Sequence, residues 1–510
     1  MLAAAPPVID SSDPLQVVEL KRQLQFAHLK IQLLEERLRL QRIQKYGPAS
    51  EKLHDAQLEL LEEEPGVSDL EVAAESAREP LPSAAPLQPK RTRQHPGRQA
   101  LPANLGRIER MIPCTPEQSH CAHCGEPTEV IGYEQSEQLD VEPAKYFVLV
   151  TKREKRGCRC CQRGVVTAPT PARIIEKGLV SDRVVIDTVI AKYCDHLPLY
   201  RQSVMLERET GIEIGRATLD GWVMTVGQLL IPLTDVMRAE LLGGGYIQAD
   251  ETPVDVQMHD RRGRNHQAYL WQYGRPGGSV VFEFQMGRGR AGPKRFLEGF
   301  EGLLQTDGYV AYEKLGGPKM VHVACWAHSR RGLFEAHALA PGEMAAKSIV
   351  EHIDDLFAID RKAREQGYDL AARHRLRAEH APKLLSTIKE KLEAAQQRAL
   401  PASKIGKAVA YALGLWPRLE IFLQYPEVEL SNNLAENSMR GVAIGRKNWI
   451  HIGSPTAGPR VAAILSVTES CRRLGIPTRE YLAAILPGLA DTRIQRLAKL
   501  TPAVWSARSR

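Results

Sequence analysis

Between residues 15 and 45 the apolar positions recur at a helical period. Val17, Leu20, Leu24, Ala27, Ile31, Leu34 and Leu38 alternate as a and d of a heptad. Gln41 and Lys45 interrupt the end of that seam, and Phe26, Leu29, Leu33, Leu40 and Ile43 form a second stripe. The seam suits a dimerising coiled coil, while the breadth of the two stripes suits a helix packed on its own protein. From about 64 to 105 the periodicity gives way to Pro, Ser, Ala and Glu, then to the basic run PKRTRQHPGRQALP. That is linker composition: a solvated tether, or an arm that contacts phosphates.

Helical patterning returns at 181–230. DRVVIDTVIAKYCDHL and LYRQSVMLERE are followed, after TGIEIG, by RATLDGWVMTVGQLL. Two helices across a short Gly-containing turn, the second opened by Arg216 and Thr218, fit a DNA-reading helix-turn-helix or a helical hairpin that binds nothing. Beyond 245 the period drops to two. GYIQADETPVDVQ, HQAYLWQYGR and GSVVFEFQMGR predict three hairpin-connected strands, joined by MHDRRGRN and by a Pro-Gly-Gly turn. A short helix, GPKRFLEGF, leads to LLQTDGYV and VHVACWAHSRR. Three antiparallel strands, a helix and further strands is the order of a ribonuclease-H-like sheet. Residues 343–425 then read as almost unbroken helix. The predicted fold class is multidomain α+β.

Composition narrows this picture only slightly. A chain of 510 residues has room for two or three domains. With 43% hydrophobic and 25% charged residues it is ordinary for a soluble protein. Without a long apolar run or a basic, apolar leader, no membrane span is expected, and the expected location is the cytoplasm, in association with the nucleoid. The net charge of +7 permits a nucleic-acid partner without requiring one.

The nine cysteines change the picture more. Cys121 and Cys124 in CAHCGE, with Cys158 and Cys161 in CRCCQRG, form CxxC-x33-CxxC. Each pair presents two thiolates from one tight turn, and four thiolates suit a tetrahedral, structural Zn2+. The segment between them, EQLDVEPAKYFVLVTKREKR, alternates as the strands of a zinc ribbon should. Cys114 and Cys160 are competing thiols, although Cys160 breaks the turn spacing. A closed four-cysteine site leaves no position for a reacting water, so its expected role is scaffolding.

Two acids stand in or at the end of apolar strands, Asp250 in YIQADET and Asp307 in LLQTDGY. Singly, each could begin a turn, and the Asp-Gly at 307 suits a turn well. Side by side on adjacent strands, two carboxylates about 4 Å apart repel by roughly 4 kcal/mol at an effective dielectric near 20. A hard cation such as Mg2+ or Mn2+ relieves that repulsion. A third carboxylate from a helix packed on the sheet would complete a site for two ions, suited to in-line phosphoryl displacement. Glu436, in SNNLAENSMRGVAIGRKNW, is the candidate. Arg440, Arg446 and Lys447 follow it as possible phosphate contacts, with Trp449 as a stacking surface. Read alone, that stretch fits an exposed helix with one Glu–Arg pair worth a few tenths of a kcal/mol.

Taken together these motifs resemble the large, TnpC-type DDE transposase of the sixty-six family of bacterial insertion sequences. The resemblance rests on KYGPASEKL, CAHCGE with CRCCQRG, KYCDHLPLYRQ, ADETPV, QTDGYVAY, CWAHSRR, NNLAENSMR, GRKNW and REYLAAILP, in that order from about 17 to 490. It implies a leucine-zipper-like helix at 1–63, a linker at 64–105, a zinc ribbon at 106–172 and a helical DNA-binding domain at 173–242. A ribonuclease-H-like core follows at 243–342, with a helical insertion at 343–425, the rest of the core at 426–470 and a helical tail at 471–510. It implies Asp250, Asp307 and Glu436 as the catalytic acids, and the insertion accounts for a gap between the last two far longer than a loop. His328 and Arg331 of CWAHSRR carry over as candidate contacts to DNA or to the acids. The implied partners are double-stranded DNA, a second copy of the chain and companion proteins of the same element. GPAS stands where the family usually has a more basic turn, which weakens any DNA contact there.

Overall fold

The computed structural model describes residues 126–127, 146–157, 165–176, 178–258, 264–340 and 344–508. The chain divides into two compact units, Pro48–Phe147 and the remainder; the elements named below belong to the second. The predicted helix at 15–45, the linker and the four ribbon cysteines lie outside the described residues.

Strands β1 (Lys155–Gly157) and β2 (Val165–Thr167) pair antiparallel, and the CRCCQRG knuckle falls between them in sequence. Residues 146–154, expected to be strand, carry none and are exposed. Alternation there is not enough: Phe147, Val148, Leu149 and Val150 find no pairing strand among the described residues.

Three helices follow: α1 (Asp182–Tyr193), α2 (Leu199–Thr210) and α3 (Arg216–Leu242). Gly211, at φ 70°, closes α2 in the left-handed conformation that glycine adopts most readily. The buried face of α3 runs Leu219, Val223, Val226, Leu230, Leu233 and Met237, the spacing of an amphipathic helix. These side chains share one continuous core with the sheet.

That sheet is mixed. In chain order its strands are β3 (Tyr246–Val256), β4 (His266–Gly274), β5 (Val280–Gln285), β6 (Leu303–Thr306) and β7 (Val321–Ala324), with the short helix α4 (Ala291–Phe296) between β5 and β6. In space they lie β5-β4-β3-β6-β7. The first three are antiparallel, as the hairpin turns predict, and β6 and β7 run parallel to β3. Helix α5 (Trp326–Leu339) leaves β7, and α6 (Met344–Glu365), α7 (Leu370–Arg398) and α8 (Lys404–Gly414) build the helical insertion. The chain returns to the sheet as α9 (Asn433–Trp449) and β8 (His451–Ile452), which extends β3 in parallel. Helix α10 (Gly458–Leu474) then covers β5. Its Ser466 and Ser470, one turn apart, accept hydrogen bonds from the N–H groups of Phe282 and Val280 at 2.8 and 2.9 Å. Two of the edge strand's outward donors are thereby satisfied instead of being left open to another chain.

The insertion packs in a second core around Trp326, Ile349, Leu385, Leu392 and Val409, which takes in Tyr246, Leu303 and Val323 of the sheet. Its charged centre is Asp360, which accepts from Arg377 at 2.6 and 2.8 Å and from Arg373 at 2.7 Å. Burial alone would raise the Asp360 pKa, but the two guanidinium groups hold it below the usual carboxylate range. Arg377 also donates to the carbonyls of Phe422 and Val428, and Arg373 to Glu429. The network therefore fixes the segment that leads into α9. Replacing Asp360 by Leu strands two buried guanidiniums and is expected to cost about 3–5 kcal/mol in urea unfolding. A loss below about 1 kcal/mol would mean the arginines find other partners.

Candidate active site

Asp250 lies in the middle of β3, opposite Gln272 of β4. On its other side β3 pairs with β6 in the register Gln248↔Gln305. The ladder ends at that pair, and two residues beyond it on each chain stand Asp250 and Asp307, near enough for the charge of Asp307 to act on Asp250. Asp307 begins a turn as well: its Oδ1 accepts from the N–H of Tyr309 at 2.9 Å, and Gly308 sits at φ 89° with Leu415 where a Cβ would be. The turn and the juxtaposition coexist.

The insertion delivers the third acid through a set of buried amides. Gln305 donates to the carbonyl of Glu429 at 2.7 Å, and Gln248 to that of Ser431 at 3.1 Å. At the far end of α9, Arg446 donates to Thr252 Oγ1 at 2.9 Å and to the Pro253 carbonyl. Gln248, Asp250 and Thr252 share one face of β3 by the two-residue period of a strand. The helix is thus pinned before and after Asp250 on Asp250's own face, with Glu436 in its first turn. Arg446 is spent on holding this helix, whereas Arg440, Lys447 and, on α3, Arg216 are exposed.

Electrostatics ties the acids together. Asp250 is pushed up to about 7, first by burial, then by the charges of Glu251 and Asp307 and, more weakly, Glu436. Glu436 itself is ion-paired, 3.1 Å from Arg331 and 3.4 Å from His328. Burial lowers the His328 pKa, against the pull of Glu436 and Asp307. Both His328 and Arg331 of CWAHSRR, on α5, thus converge on the acid cluster.

Glu251 escaped the sequence reading because strand alternation turns it to the opposite face. There it accepts from Arg288 at 2.7 and 3.0 Å and from the Tyr312 hydroxyl at 3.0 Å. Burial raises its pKa despite the Arg288 bond. The adjacent acids of ADETPV were the available signal.

Among the described residues no three His, Cys, Asp or Glu side chains stand close enough to hold an ion; Glu436 is turned to Arg331 and His328 instead. The donor set still fits a hard divalent cation. Two carboxylates stand within electrostatic reach of each other, and one of them, the half-buried Asp250, has no cationic partner among the described residues. A proton fills that role at low pH. Native Asp250 keeps its proton up to about pH 7, whereas the unfolded chain releases it near pH 3.9. Its contribution to stability is therefore fully present below about pH 4 and is lost as the pH rises toward 7. A cation must displace that proton, so Mg2+ is expected to raise Tm more near pH 8 than near pH 6. Equal gains at both, or an undiminished gain in Asp250→Asn, would remove Asp250 from the ligand set.

Comparison with known proteins gives the family of the chain. The family described as "Transposase IS66 family" matches residues 177–460. "Zinc-finger binding domain of transposase IS66" matches 118–162, and "Transposase C of IS166 homeodomain" matches 33–110. Three relatives from Sinorhizobium fredii (strain NBRC 101917 / NGR234) are named as uncharacterized proteins. Protein y4qI is 32% identical over 497 residues, covering 93% of this chain and 89% of its own. Protein y4jD is 30% identical over 443 residues, covering 82% and 86%, and y4hP is 29% identical over 507 residues, covering 94% and 89%. Among the described residues no helix is long and apolar enough to cross a membrane. With the family match spanning more than half its length, the chain belongs to the IS66 transposase family.

Proposed function

We propose that this chain is a metal-dependent DDE transposase that cuts DNA at the ends of its element and joins the freed 3′-hydroxyl to target DNA. The observation that carries the reading is the meeting of two register positions and one helix. Asp307 falls beside Asp250, and α9 crosses the same face of β3 with Glu436 in its first turn. The strand order β5-β4-β3-β6-β7, three antiparallel and two parallel, supports a ribonuclease-H-like core.

In this reading Asp250, Asp307 and Glu436 would hold two Mg2+ or Mn2+ ions. Ions bound there would supply an activated water or sugar hydroxyl and offset charge on the leaving 3′-oxygen. Arg331 and His328 hold Glu436 until DNA arrives. An incoming phosphate competes for Arg331, which can grip it in bidentate fashion, and frees Glu436 to turn toward the aspartates. Arg440, exposed one turn beyond Glu436, takes a flanking phosphate. The Cys121, Cys124, Cys158 and Cys161 set holds structural Zn2+, a reading supported by the zinc-finger match. A second copy of the chain brings the two element ends together, with companion proteins of the element as further partners.

The test is incubation with a duplex carrying the element's own terminus. Mg2+-dependent nicking that leaves a 3′-hydroxyl at the terminus is expected; binding without any metal-dependent product would contradict it. The pairing of Glu436 with Arg331 favours a second reading, a relative that binds DNA without cutting it. The same assay separates the two.

A further inference from the structure

The tail of the GRKNW motif meets the α1–α3 helices at a place the chemistry above does not use. A groove of about 660 Å3 lies between those helices and the turn from α9 to α10. Its charged lining is one-sided, with Lys192, Arg216 and Arg460 against Asp220, while Tyr200 and Trp449 add aromatic walls. The groove is built to a fixed shape. Trp449 folds back on Gly445, where a Cβ would meet the indole at 2.5 Å. Arg460 donates through Nε to Gln228 at 3.1 Å, which braces the guanidinium.

Two further features mark this groove. The Lys192 ammonium lies 6.0 Å from the centre of the Trp449 ring. Burial lowers its pKa to about 8 against the opposing pull of Asp220, so a nearby anion would stabilise its charged form. The backbone is also strained at this spot: Ile450, a β-branched residue, sits at φ 67° and ψ −60°. Such a conformation costs on the order of 1–3 kcal/mol and concentrates at functional sites. Here it turns the chain sharply out of α9 into β8, whose His451 pairs with Asp255 of β3.

We propose that this groove holds the backbone of the bound DNA strand on Lys192, Arg216 and Arg460, about six base pairs from the phosphodiester at the acids. The spacing is that of a strand running along α9: from Glu436 to Trp449 the helix rises about 20 Å, and a DNA strand advances about 3.4 Å per base pair. The assignment rests on the DNA-cutting reading above. A polyanion is the occupant that three cations against one acid would select. The groove would fix where the DNA lies relative to the cut.

Phosphate ethylation interference tests it, using the full-length, zinc-loaded protein and duplexes made from the element's two termini. Ethylation of one or two phosphates about six base pairs from the cut should weaken wild-type binding. The same positions should fall silent in Arg216→Gln and Arg460→Gln, and each substitution should lower the log–log salt slope by about 0.9. Arg216 is exposed at the start of its helix, so its variant is expected to fold. Unchanged interference and salt slope in both variants, with DNA still bound and cut, would overturn the groove assignment alone. Failure of the wild-type protein to bind either terminus would overturn the DNA-cutting reading and the groove with it.

Discussion

Glu436→Gln is expected to reduce strand cleavage by at least about a thousandfold, about 4 kcal/mol of transition-state stabilisation, while element-end affinity stays within a few-fold. The substitution is nearly isosteric and removes only the charge. In the DNA-free protein that charge serves Arg331 and His328, at 3.1 and 3.4 Å. Both partners are in part solvent-accessible, so loss of the pair should cost little stability, at most about 1 kcal/mol. A catalytic defect without a folding defect is therefore the signature. Arg331→Ala separates the roles further. If Arg331 only restrains Glu436, cleavage persists; if it also grips the phosphate, cleavage and affinity fall together. Normal cleavage by Glu436→Gln would remove α9 from the chemistry.

The second large effect concerns zinc. Four thiolates closing a tetrahedral site contribute about 10–16 kcal/mol in small domains, more than the marginal stability of such a domain without metal. Chelation is therefore expected to unfold the region from about 106 to 172 and to leave the β3–β8 sheet folded, since the described core of that sheet is built from residues 174 onward. Limited proteolysis with and without a chelator reads this directly. New cleavage sites should be confined to the cysteine region. One zinc per chain is the expected content, and Cys158→Ser should lose it. Purified protein without zinc, or a protease pattern indifferent to chelation, would contradict a structural metal.

How far the sequence carried can be traced residue by residue. Asp250 and Asp307 were legible because a carboxylate in an apolar strand needs a partner. The strands holding them appear where period-two alternation puts them. Glu436 was legible only through its motif, since its helix alone resembles any polar surface helix. What links it to the sheet, the buried Gln248, Gln305 and Tyr246 set, is invisible in sequence because its partners lie more than a hundred positions away. The Glu436–Arg331 pair spans 105 positions, and only the resemblance, which made Arg331 a candidate contact to DNA or to the acids, pointed toward it. Arg446 misled: one basic residue in a basic run gives no sign that it turns inward to Thr252. Residues 146–154 carry no strand despite their alternation, and no strand that pairs with them stands among the described residues.

The proposed convergence of Asp250, Asp307 and Glu436 on one phosphoryl-transfer site is best tested by strand joining. Element ends already cut to expose a 3′-hydroxyl are incubated with target DNA and Mg2+, using wild type, Asp250→Asn, Asp307→Asn and Glu436→Gln. Joined products are expected with the wild type alone, while all three variants still bind the ends. Joining at the wild-type rate by any one of the three variants would contradict the shared site.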